Sequence, residues 1–173
     1  MYKPLRWKLW IVLFLWLASC SPVEVTSTPR PKLGLPPTQI PPLQDDELSE
    51  AIRQAQETLY IWRHEVLAPT KSYSMSSLKV RFTGVDGSVE DMWTEPVIVL
   101  DDRYTVRMIE GVTLDKGIHP DRILDVTSQD IVDWMLLEKD GTVIGGYTLR
   151  LEYNRMTPEE QKKYREVTGY KFE

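Results

Sequence analysis

The chain has 173 residues, with 21 Lys and Arg against 26 Asp and Glu, for a formal net charge of −5. Its single cysteine excludes an internal disulfide framework and a Cys-based zinc cluster. An acidic balance with no Lys/Arg cluster also excludes the phosphate-neutralising face of a nucleic-acid binder and a polybasic grip on anionic lipid.

The first segment is basic, with Lys3, Arg6 and Lys8 and no acid, and is followed by an apolar run from Leu9 to Ala18. That run is about half the ~20 residues a membrane-spanning helix needs. A basic start, a short apolar stretch and small residues before a cut describe a secretory signal instead. Leu17-Ala18-Ser19-Cys20 resembles the bacterial lipobox, which implies a signal peptide over 1–19 and diacylglycerol on the Cys20 thiol. Together with N-palmitate, this gives a lipoprotein held by more than one acyl chain, enough for stable anchoring where one chain is not. Ser21 stands where aspartate would suggest inner-membrane retention. The expected location is therefore extracytoplasmic: the outer membrane if the organism has one, and otherwise the cell membrane. Cleavage removes three of the 21 basic residues, leaving 18 against 26 acidic ones and a balance of −8. With Cys20 acylated, the mature chain keeps no free thiol.

Residues 20–42 read as a tether. Pro22, Pro29, Pro31, Pro36, Pro37, Pro41 and Pro42 punctuate small and polar residues that cannot bury enough apolar surface to offset chain entropy. At ~3.1 Å per residue in an extended polyproline state, about 24 residues reach on the order of 70 Å.

Residues 43–173 have the length of one domain. Leu48, Ile52, Ala55, Leu59, Trp62 and Val66 step by four and three, which predicts a helix with one apolar stripe that Pro69 ends. From Leu78 the period becomes two. Leu78 to Phe82 and Val89 to Thr94 predict strands around the turn Gly84-Val85-Asp86-Gly87, and Val97 to Leu100 and Tyr104 to Ile109 predict the next pair. Ile123 to Val126 is a short strand, followed by one helical turn at Thr127 to Asp130. Trp134 to Leu137 and Thr142 to Tyr153 predict a final hairpin, with a bulge or bend at Gly145-Gly146. Thr157-Pro158-Glu159-Glu160 predicts the start of a short C-terminal helix. The fold class is α+β, a long N-terminal helix packed on a strongly bent antiparallel sheet, and dense strand spacing allows a small SH3-like barrel.

Three stretches resemble one bacterial family. They are Leu78-Lys79-Val80-Arg81-Phe82 with Glu90-Asp91-Met92-Trp93, then Asp130 to Met135, and Gly145-Gly146-Tyr147-Thr148-Leu149-Arg150. Together they resemble the YegJ-like domain of unknown function 2314, over nearly all of Leu43 to Tyr164. The resemblance implies no established activity. Asp91 stands where many members carry histidine, and Asp121-Arg122 where the family tends toward Gly-Asp.

No catalytic residue is assigned from the sequence. His64 and His119, the two histidines, have no cysteine or second histidine nearby to complete a metal site, so no metal site and no cofactor are expected. Neither a Gly-x-Ser-x-Gly elbow, a phosphate-binding loop nor a His-Glu-x-x-His motif is present. Glu90, Asp91 and Asp133 are the acids that could serve acid–base chemistry, though strand decoration by Glu90 and Asp91 and backbone bonding by Asp133 account for them more simply. Asp133, Trp134, Tyr147 and Arg150 form the candidate binding patch, because Trp134 and Tyr147 lie beside a turn or a glycine kink. Arg150 is expected to pair with Asp133, while Trp62 and Trp93 are expected in the core.

These residues suggest a lipid-anchored envelope protein whose domain is a non-catalytic binding or interaction module. Its partners would be the membrane, through the anchor, and an envelope protein or surface polymer. One alternative is an envelope hydrolase using Asp91 and Asp133; another is an immunity-like inhibitor of a toxin.

Overall fold

The computed structural model describes residues 45–84, 86–109 and 118–172, so the predicted signal peptide and the whole of the 20–42 tether lie outside the described residues. The first element is helix α1, Asp45–Leu67. Its apolar stripe is the core stripe: Ala55, Leu59 and Trp62 are buried, and the Trp62 ring packs against Tyr104 at 6.1 Å between centroids. Glu65, near the helix end, accepts from the Tyr73 hydroxyl at 2.8 Å and from Thr70, which fixes the turn into the sheet. Those donors hold the Glu65 carboxyl down at about 2.

Six antiparallel strands follow among the described residues: β1 (Tyr73–Thr83), β2 (Val89–Leu100), β3 (Arg103–Met108), β4 (Ile123–Thr127), β5 (Ile131–Glu138) and β6 (Val143–Gly145). Their order across the sheet is β4-β3-β2-β1-β5-β6. The sheet is open rather than a closed barrel, because the end strands β4 and β6 do not pair with each other. The segments expected as separate strands at Val89–Thr94 and Val97–Leu100 are one strand, β2, interrupted by a bulge between Pro96 and Ile98. Alternation sends Leu78, Val80, Tyr104, Val106, Val126, Trp134 and Leu136 to the α1 side, where they form one core with the helix.

The predicted last strand differs most from the structure. Only Val143–Gly145 pairs with β5, and Tyr147–Arg155 is a helix, α2. Two consecutive glycines in left-handed conformation, Gly145 at φ 73° and Gly146 at φ 63°, turn the chain out of the sheet. A Cβ on Gly145 would lie 2.5 Å from the Trp134 carbonyl oxygen, so no other residue fits this corner. Helix α2 then packs on α1: the Thr58 hydroxyl lies 2.9 Å from the Tyr147 hydroxyl, and Arg155 pairs with Glu47.

Helix α3, Pro158–Thr168, starts at the predicted capping box, in which the Thr157 hydroxyl and the Glu160 carboxylate bond each other's backbone amides. After Gly169 the chain returns to the sheet. Lys171 donates to Gly141 O at 2.8 Å and accepts from Val143 N at 3.0 Å, a parallel bridge along β6. Tyr153, Tyr164, Tyr170 and Phe172 pack ring to ring beneath this return.

Candidate functional site

The predicted patch residues meet at the junction of β5, β6 and α2, but as an interior joint. Asp133 is 0% exposed and Trp134 is 1% exposed, while Tyr147 and Arg150 are half-buried. Antiparallel pairing with β1 puts Asp133 opposite Lys79 and Trp134 opposite Leu78, so the two side chains leave β5 on opposite faces. Trp134 enters the core, where its Nε1 donates to Ala55 O at 2.9 Å and to Thr58 Oγ1 at 3.2 Å. Its ring meets Tyr147 edge-on at 6.0 Å.

Asp133 takes the place of a missing cap. The residue before α2 is Gly146, which has no side chain to offer the first helical amides. Asp133 supplies the acceptors from the neighbouring strand: Oδ1 accepts from Tyr147 N at 3.1 Å and from Trp134 N at 2.8 Å. Oδ2 accepts from Thr148 N at 2.8 Å and from the Thr148 hydroxyl at 2.7 Å. A carboxylate at a helix N-terminus also faces the positive end of the helix dipole. Burial pushes the Asp133 carboxyl above the usual aspartate range, while Thr148, the Trp134 and Thr148 amides and the Lys79 ammonium pull it back. The expected Arg150–Asp133 pairing gives way to backbone contacts: Arg150 Nε donates to Gly145 O at 2.8 Å and Nη2 to Val143 O. Arg150 lies on a helix rather than a strand, so it does not alternate outward beside Asp133.

A polar row runs from this joint across the face of the sheet turned away from α1. Lys79 lies between Asp133 on one neighbouring strand and Trp93 on the other. Its Nζ donates to Thr148 Oγ1 at 3.1 Å, reaches Glu152 at 3.5 Å and sits 5.7 Å from the Trp93 ring centroid. Trp93 is thus on the opposite face from the core in which it was expected. In the next row Arg81 Nε and Nη2 donate to the two Asp91 oxygens at 2.8 Å each, and Asp91 holds the Arg81 guanidinium more firmly charged. Beyond them Arg107 pairs with Glu95 at 3.7 Å, and the Thr105 hydroxyl donates to Asp125 at 2.7 Å.

The sequence signal for these pairs is the hairpin itself. Once the turn at Gly84–Gly87 is placed, Arg81 falls opposite Asp91 and Lys79 opposite Trp93. The role of Thr148 leaves no such signal, because it depends on the unexpected helix. Histidine contributes no cluster: His64 is largely exposed and lies 3.6 Å from Glu65, and no group of three metal-ligating side chains occurs among the described residues.

Fold and site define an α+β protein with a helix-covered sheet, a cross-capped second helix and a row of paired charges on the face turned away from α1. The chain belongs to the family described as "Uncharacterized protein conserved in bacteria (DUF2314)", whose model matches residues 45–172. No curated protein and no solved structure matches it.

Proposed function

We propose that this chain is a lipid-anchored protein of the bacterial envelope, acylated at Cys20, whose domain is a non-catalytic binding module held away from the membrane by the 20–42 tether. The anchor reading rests on Leu17-Ala18-Ser19-Cys20 behind a basic and apolar leader. The binding reading rests chiefly on one observation: the two carboxylates best placed for chemistry are both committed to structure. Asp133 is enclosed by three backbone amides and a hydroxyl, and Asp91 forks the Arg81 guanidinium. Glycoside hydrolysis needs two carboxyl groups flanking a bound substrate, and an enclosed Asp133 weighs against that alternative.

Metabolic labelling with an alkyne analogue of palmitate tests the anchor. The wild-type chain takes up label and sediments with membranes, whereas Cys20→Ser does neither. A pull-down from crosslinked envelopes tests the module and should recover the same partner in repeated preparations. An unlabelled wild-type chain removes the anchor, and a pull-down with no reproducible partner removes the binding reading.

A further inference from the structure

We infer that the β4 edge is a docking strand, taking up an extended basic segment of another protein as an added strand of the sheet. This deepens the binding-module reading and rests on it. At the other edge, β6 is already sealed by the return of the chain at Lys171. No strand lies beyond β4 among the described residues. Met108 N donates to Arg122 O at 2.8 Å, and antiparallel pairing then alternates along the strand. Leu124 and Val126 turn their amides toward β3, while Ile123 and Asp125 turn theirs outward. The Thr127 amide is already taken by Asp130 at 2.8 Å, so the open stretch ends there.

Sheet edges are commonly protected by lysine, proline or a bulge, and Ile123-Leu124-Asp125-Val126-Thr127 contains none of these. Ile98, Leu100 and Ile123, each more than half exposed, lie on the face turned away from α1 at this same end. Charge decides the occupant. A second copy pairing β4 with β4 about the strand centre would set Asp125 against Asp125, and like charges directly opposite each other are unfavourable. A foreign strand with Lys or Arg opposite Asp125, and apolar residues on the α1 side beside Leu124 and Val126, matches both the edge and the acidic chain.

The test places the photo-crosslinker benzoylphenylalanine at position 123 of the full chain in its own cells, with the same probe at exposed Val167 of α3 as control. The expected adduct at 123 joins a different protein through an extended segment containing Lys or Arg, with none at 167. Asp125→Lys should lower its yield about tenfold or more, as charge reversal at a paired site does. If Asp125→Lys lowers the melting temperature, the isosteric Asp125→Asn serves the same comparison. An adduct with a second copy, an adduct indifferent to Asp125, a captured segment without a basic residue, or no adduct at 123 each overturns the inference. If the envelope pull-down recovers a partner while position 123 captures nothing, the edge inference falls and the binding module stands.

Discussion

The two ends of the sheet are finished by different means. At the β6 end, Trp134 fills the corner left by Gly145, Asp133 caps α2, and the chain's return at Lys171 seals the edge. At the β4 end the strand is five residues long, its outward amides have no neighbouring strand among the described residues, and the nearby apolar side chains are exposed. Between them, on the face turned away from α1, the β1–β3 strands carry the cross-strand charge pairs Arg81–Asp91 and Arg107–Glu95. Buried polar groups with every bond made are costly to disturb, while half-exposed ion pairs contribute little to stability. One end of the sheet is thus closed by the chain itself, while among the described residues nothing pairs with the other.

The sharpest way to break the contrast is Gly145→Ala. The new Cβ would meet both the Trp134 ring and its carbonyl at a positive φ, and the loss should be about 3 kcal/mol or more in urea unfolding. A loss below about 1 kcal/mol would mean that the corner is looser than its geometry implies. Next comes Asp133→Asn, which replaces an acceptor oxygen with an amide donor facing other donors. It should cost about 2 kcal/mol and speed amide exchange in the first turn of α2, leaving β3 and β4 unchanged. Equal acceleration across the whole sheet would show that Asp133 supports more than the α2 cap. The smallest effect belongs to the open face. A double-mutant cycle on Arg81→Gln and Asp91→Asn should give a coupling of about 0.5 kcal/mol, reduced further by salt. Coupling as large as the Asp133 effect would erase the distinction between the two regions.

Local signals were reliable where structure is local. The 3.6-residue stripe from Leu48 to Val66, the β1–β2 turn, the helical turn before β5 and the Thr157 capping box are all present as their residues suggest. Tyr147 to Arg155 misled for an equally physical reason. Its residues alternate well enough for a strand, and the segment becomes a helix because two left-handed glycines redirect the chain and Asp133, fourteen residues upstream of Tyr147, caps the new amides. Trp93 misled differently: alternation places it on a face, but which face receives the helix depends on the whole sheet.

The sequence by itself determined the fold class, the family-bearing stretches, the long amphipathic helix and the lipobox-like segment at Cys20, because each is written in neighbouring residues or in a single period. Only the tertiary structure decided that the sheet stays open, that Asp133 is a buried cap rather than a surface acid, and that, among the described residues, the chain seals β6 and not β4. Those outcomes depend on hydrogen bonds between residues far apart in the chain, whose partners exist only once β1 has paired with both β2 and β5.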